Sequence, residues 1–350
     1  MKAVVGTTAL AQTNGADILG QAEDTEIDLD AYLRWLNTNH PIITNIIADM
    51  QAINPAERAA RIRALLACAE FSAHGRGNQW ATTIDHHLEV RKAGATTLLS
   101  APPNLPQRAP SADEPPYFLL DVFGGAGFIA QFAQDSLGFP GTVITSDPSA
   151  LMVRLTLNKN LPTLWQRAQD LLMTRSDSLD AVLFAYGTHH VPIAERLQSF
   201  KEAWRVLKPG GVLLFHDFPE QGVASRWFAE IVDPYTFTGH KHAHFSIAGV
   251  TDYYTAANFH IHSLSEIDDC FQFEGSSRET ALTEAIEFMG GAYGLEKLEK
   301  SPAGTNFLWE KIQQIFPVEE TPVAASPAER YRIVIHRPAL LGVGIKPSIP

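Results

Sequence analysis

The stretch Phe118-Leu-Leu-Asp-Val-Phe-Gly-Gly-Ala-Gly-Phe-Ile-Ala130 constrains the fold more than any other part of this chain. Phe118, Leu119 and Leu120 make a short apolar run of the kind that forms a buried strand, and Asp121 follows it. Gly124, Gly125 and Gly127 then form a turn, and Phe128, Ile129, Phe132 and Ala133 recur at helical spacing until Gly138 stops them. A turn with so little side-chain bulk brings backbone N–H groups close to a ligand at the positive end of a helix. The next apolar run, Thr142–Asp147, ends in a second carboxylate, 147 − 127 = 20 residues beyond the last glycine. A doubly wound sheet places an acid there to accept a pair of ribose hydroxyls. Strand, turn, helix and acid together predict a nucleoside-cofactor pocket.

The pattern around this motif predicts an α/β fold. Pro148 suits the first turn of a helix containing Leu151, Met152 and Leu155, and Ile193, Leu197, Phe200, Trp204 and Leu207 mark another. Apolar strands alternating with such helices form a mostly parallel sheet covered on both faces. Residues 1–26 are polar and predicted to be mobile. Residues 27–100 show helical faces, among them Tyr32, Leu33 and Leu36, then Trp80, Ile84 and Leu88. Six prolines between 101 and 116 predict an extended linker, and 117–345 is the cofactor-binding domain. Near the end, 279–316 reads as helical and Tyr331–His336 as the last strand. Phe259–His262 reads as a strand before that insert.

A formal charge of −12 and the lack of a Lys/Arg-rich block argue against a nucleic-acid substrate. No run reaches the length of a membrane span, and Gly6, Thr7 and Thr8 interrupt the apolar start, so the cytoplasm is the expected location. Cys68 and Cys270 are isolated thiols without metal-ligand spacing.

The segment Gly125-Ala-Gly127-Phe-Ile-Ala130 fits a loose dinucleotide fingerprint, which keeps a nicotinamide or flavin enzyme in competition. Asp121 opposes that reading, because it would repel a pyrophosphate and hold an ammonium. Leu179-Asp-Ala-Val-Leu-Phe-Ala-Tyr-Gly-Thr-His-His-Val-Pro192 and Ala203-Trp-Arg-Val-Leu-Lys-Pro-Gly-Gly-Val-Leu-Leu-Phe215 follow in order. Together these segments resemble the class I S-adenosylmethionine-dependent methyltransferases, in particular ubiquinone-type and small-molecule C- or O-methyltransferases. The resemblance covers roughly 120–260. It implies a doubly wound, seven-stranded Rossmann-like sheet, to which the helical patterns add an N-terminal helical cap and a helical insert before the last strand. It implies S-adenosyl-L-methionine as cofactor, with Asp121, Gly124, Gly125 and Gly127 near the methionine end, Asp147 on the ribose and Asp170 facing the adenine. The family usually has glycine where this chain has Phe123. That ring either packs beneath the turn or crowds the methionine tail.

Tyr186, at the end of the fourth strand, is a candidate to face the sulfonium or orient a substrate. His189 and His190 follow it as candidate bases. His216 and Asp217 end the fifth strand within reach of the same crevice. His240, His242 and His244 would share one face of an extended segment, but Lys241 between them favours a solvated or lid segment, and no metal is assigned.

The expected function is methyl transfer to a small, partly apolar molecule of secondary metabolism, on carbon or oxygen. The alternative keeps the cofactor but lets the amine of its own methionine tail close a four-membered ring, releasing methylthioadenosine, as in azetidine-2-carboxylate synthases. A non-catalytic cofactor-binding protein is a third reading. The N-terminal helices are expected to serve as a lid or as a homodimer surface.

Overall fold

The computed structural model describes residues 29–67, 76–111, 113–298, 304–323 and 330–348. The predicted mobile segment 1–26 and Cys68 lie outside them. Among the described residues, four α-helices come first: α1 (Leu29–Asn39), α2 (Pro55–Leu66), α3 (Arg76–His86) and α4 (Lys92–Ser100). The α/β portion then runs β1 (Phe118–Asp121), α5 (Phe128–Phe132), β2 (Thr142–Asp147), α6 (Ala150–Asn158), β3 (Thr163–Trp165), β4 (Leu179–Ala185), α7 (Ile193–Val206) and β5 (Leu207–Asp217). After β5 come α8 (Val223–Trp227), α9 (Ile247–Ala256), β6 (His260–Asp268), β7 (Phe271–Gly275), α10 (Arg278–Tyr293), α11 (Gly304–Ile315), β8 (Val318–Val323), β9 (Arg330–Ile335) and β10 (Pro338–Ile345).

The main sheet has seven strands in the order β3-β2-β1-β4-β5-β10-β6. The first five are parallel, and β10 runs antiparallel to both β5 and β6. Alternation along the strands sorts side chains into two cores. Leu119, Leu183 and Leu214 belong to one, and Leu120, Phe184 and Phe215 to the other. Both faces are therefore covered, which is why these strands read as unbroken apolar runs.

The N-terminal helices are divided between the two cores. Tyr32 and Leu36 of α1 join the Leu120 side, where the Tyr32 hydroxyl donates to the Thr163 carbonyl at 2.5 Å. Ile84 of α3 and Leu98 and Leu99 of α4 join the Leu119 side with the insert helices α10 and α11.

One strand assignment changes. Tyr331–His336 was predicted to close the main sheet, but Arg330–Ile335 is the centre of a separate three-stranded sheet, β7-β9-β8. The closing strand is β10, which follows directly. Its glycines accept close packing: a Cβ on Gly344 would lie 2.3 Å from the Tyr254 ring. A strand carrying Gly342 and Gly344 in place of branched residues shows little strand signal.

Candidate functional site

The turn after β1 is shaped by contacts that only glycine permits. A Cβ on Gly124 would fall 2.4 Å from Thr145 Cγ2, and one on Gly125 would fall 2.8 Å from the Trp80 ring of α3. Gly125 and Gly127 have φ values of +53° and +82°, a region that L side chains rarely occupy. The carbonyls are held from below: Thr156 Oγ1 donates to Gly125 O at 2.9 Å, and Lys159 Nζ donates to Ala126 O at 2.9 Å.

Two carboxylates flank this turn in unlike states. Asp147 accepts the Gly125 N–H at 3.1 Å and the Ser149 N–H at 2.8 Å. Asp121 is 1% exposed, and neither of its oxygens has a hydrogen-bond partner among the described residues. Burial pushes the Asp121 carboxyl up to about 8, with Arg91 opposing the shift and Asp147 adding to it.

Both acids line a cavity of about 500 Å³ that also reaches Trp80, Arg91, Phe123, Gln169, Tyr186, His189, His190 and His240. That volume lies within the usual range for a small-molecule or cofactor site. The Arg91 guanidinium lies over the Tyr186 ring, 4.1 Å from its centroid, and 4.9 Å from that of Phe128.

Tyr186 has φ +61°, a strained value for a bulky residue, and such outliers cluster where function requires them. Its hydroxyl donates to Asp269 Oδ1 at 3.0 Å, and its ring meets His216 edge-on at 4.5 Å. Burial raises its phenol well above the usual range, with Asp269 adding to the shift. Asp269 is also bound by the buried Arg337, so the ring is braced from behind.

His189 is fixed by Asp217, which receives its Nδ1 at 2.8 Å and its backbone N–H at 2.9 Å. The His190, His240 and His244 rings stand 4.3, 5.1 and 5.4 Å from the His189 centroid. In the segment expected to be solvated or a lid, Lys241 and Ala243 are exposed while His240 turns inward, 6% exposed.

Residues 120–215 match the family model described as a methyltransferase domain. Residues 120–215 thus form a methyltransferase domain of the class I S-adenosylmethionine-dependent type. Curated relatives include the ubiquinone/menaquinone biosynthesis C-methyltransferases UbiE of Nitrobacter hamburgensis and Sinorhizobium fredii. The first is 35% identical over 31% of this chain and 45% of its own, and the second is 38% identical over 30% and 42%. The chain thus spans about half the length of the curated relatives it matches. Among solved structures, the putative methyltransferase bound to the Trm112 activator of Haloferax volcanii covers 80% of this chain and 97% of its own, at 18% identity and TM-score 0.48.

The structure brings Asp121, Phe123, Gly124, Gly125, Asp147, Tyr186, His189 and His190 to one cavity. Two residues predicted for the cofactor do not line it. Gly127 packs beneath the turn, where a Cβ would meet Thr156 and Leu161 at 2.8 and 2.9 Å. Asp170 is instead engaged by Arg61 of α2, whose Nε lies 3.0 and 3.1 Å from its two oxygens. Its neighbour Gln169 takes the lining position and donates to Glu195 Oε2 at 2.5 Å. The Phe123 ring both lines the cavity and packs, meeting Phe184 edge-on at 5.5 Å.

The sequence reading missed Arg91, Asp269 and Arg337. Arg91 ends the short 3-10 turn Leu88–Arg91 before α4, and the other two flank strands of the insert, so none carries a motif. Trp80 was legible only as part of a helical stripe. Among the described residues, no helix is long and apolar enough to cross a membrane.

Proposed function

We propose that this chain transfers the methyl group of S-adenosylmethionine to a small molecule, on carbon or oxygen. The observation that carries the reading is Asp121: a buried carboxyl with both oxygens unpartnered among the described residues, at the base of the glycine turn, on the wall of a cavity of fitting volume. An orphaned buried acid is costly unless a ligand completes it. An α-ammonium does so, and Arg91 on the same wall suits the carboxylate of the same amino acid. Asp147, which orients the Gly125 N–H on the same wall, suits the ribose hydroxyls. Gln169 and Glu195 line the cavity with the amide and carboxylate groups that an adenine edge requires, a role first expected of Asp170.

The cofactor supplies the electrophile as a sulfonium methyl. The residues then position an acceptor, exclude water and manage a proton. His189, with Nδ1 held by Asp217, directs Nε2 away from that carboxylate, and His190 lies beside it. These imidazoles face the space where the acceptor's O–H or C–H would lie. Tyr186 closes the wall between them and Arg91. The lining of Phe123, Phe128, Phe218 and Phe228 favours a partly apolar acceptor.

The Phe123 ring on the cavity wall supports a second reading, in which a bent methionine tail attacks its own side chain and releases methylthioadenosine. One incubation tests both. The protein is mixed with S-adenosylmethionine alone and then with candidate acceptors, and the products are analysed by mass spectrometry. S-adenosylhomocysteine formed only with an acceptor supports methyl transfer. Methylthioadenosine without one supports cyclisation. Neither product, despite measured binding, defeats both.

A further inference from the structure

The loop after β4 and the segment between α8 and α9 converge on a cluster of imidazoles that a free-base role does not account for. One ring nitrogen from each of His189, His190 and His240 lies within 4.8 Å of the other two. We propose that these three side chains bind a divalent transition-metal ion, with zinc as the reference ion, and leave a coordination position open to the cavity. Three histidines plus one exchangeable ligand is a recurrent donor set for a reactive zinc site. Neutral nitrogen donors also suit cobalt and nickel.

The surroundings prepare each ligand. Asp217 takes the Nδ1–H of His189 at 2.8 Å, which fixes the orientation of the ring. His240 is anchored at its backbone N–H by Asp233 at 2.9 Å, and its ring stacks on Phe228 with centroids 4.1 Å apart. Its Nδ1 is buried without a hydrogen-bond partner among the described residues. Arg196 ties the two segments together, donating to the His189 carbonyl at 3.2 Å and the Ala243 carbonyl at 2.6 Å. This second shell holds the donors near one another before any ion arrives.

Tetrahedral coordination at about 2.0–2.1 Å brings ligand nitrogens to within roughly 3.4 Å of one another, so binding draws the trio inward from its present spread. His190, the half-buried member, has the most freedom to move. The donor set differs from the run His240, His242 and His244 visible in the sequence, because His244 turns to Ser225 at 2.5 Å.

All three ligands line the cavity, so the open position faces the space assigned above to the methyl acceptor. This part of the inference rests on that assignment. An acceptor hydroxyl or enol bound to the ion releases its proton to water near neutral pH and presents an oxyanion or enolate to the sulfonium methyl. The favoured acceptors are therefore oxygen-donor ligands.

The test is made on the full chain. After chelation and dialysis, the protein is loaded with zinc sulfate, desalted and analysed for metal, and S-adenosylhomocysteine binding is measured on the same sample. The expected result is about one zinc per chain in the wild type, tenfold or greater loss of zinc affinity in His190→Ala and His240→Asn, and no change in His262→Ala. Less than half an equivalent in the wild type, or undiminished zinc in His240→Asn, overturns the site. If the variants fail to fold, cobalt on the wild type decides: the visible absorption of a tetrahedral nitrogen site supports it, and an octahedral aqua spectrum overturns it. S-adenosylhomocysteine binding without zinc defeats the metal site alone. Zinc without S-adenosylhomocysteine binding defeats the cofactor reading alone.

Discussion

Asp121 and Asp147 flank one glycine turn, yet Asp147 accepts two backbone N–H groups while both oxygens of Asp121 are buried and unpartnered among the described residues. Asp147 thus also serves the scaffold, and Asp121 suits a ligand that completes it. Its carboxyl, pushed up to about 8 by burial, is largely protonated at neutral pH in the free protein. An ammonium ligand needs it ionised, so cofactor binding must release a proton.

The first prediction follows from that sign. Cofactor affinity rises as pH increases towards 8 and levels off above it. Calorimetry at pH 7 in buffers of different ionisation enthalpy should show close to one proton released. Asp121→Asn should weaken binding at least tenfold and abolish the release. Because the folded-state pKa is raised, Asp121 favours folding at low pH, and this contribution fades between about pH 4 and 8. Asp121→Asn should flatten that part of the stability profile in denaturant titrations.

Asp147→Ala should weaken cofactor binding by roughly 1.5–3 kcal/mol, the usual value of a hydrogen bond to a charged group. It should also destabilise the free protein by about 1–3 kcal/mol, because two buried N–H groups lose their acceptor. Unchanged affinity would remove Asp147 from the ribose role, whatever happened to stability.

Gly187 and Phe123 test the cavity wall. A Cβ on Gly187 would lie 2.5 Å from both Cβ and Cγ of Phe123. Gly187→Ala should therefore displace that ring and cost about 1–3 kcal/mol of stability by overpacking. Phe123→Ala in the same background should restore part of the loss. Thermal melts of the two single variants and the pair would show a coupling of zero if the contact is unimportant.

Tyr186 carries opposing terms. Tyr186→Phe should cost about 1 kcal/mol by removing the bond to Asp269. Tyr186→Gly loses the ring but relieves a left-handed backbone worth roughly 1–2 kcal/mol. It should therefore destabilise the fold less than Tyr186→Ala. The reverse order would show that the backbone is not strained there.

Much of this was legible because strand, turn and acid place functional groups at fixed sequence intervals. Asp121, Gly124, Gly125 and Asp147 were readable because the β1–turn–β2 unit is local and its chemistry excludes most residues. Asp170 was misplaced because an ion pair 109 residues away in sequence, with Arg61, directs it elsewhere. Arg91, Asp269 and Arg337 converge from the helical cap and the far end of the chain. β10 escaped notice because its glycines serve Tyr254 packing rather than strand propensity. The histidines showed their identity in the sequence but not their grouping, since His189 and His240 meet through two loops joined by Arg196.

The most direct test of the central claim is a crystal structure grown with S-adenosylhomocysteine. The account predicts its α-ammonium on Asp121, its carboxylate towards Arg91 and its ribose hydroxyls on Asp147. The molecule bound elsewhere, or Asp121 still without a partner beside it, would contradict the account.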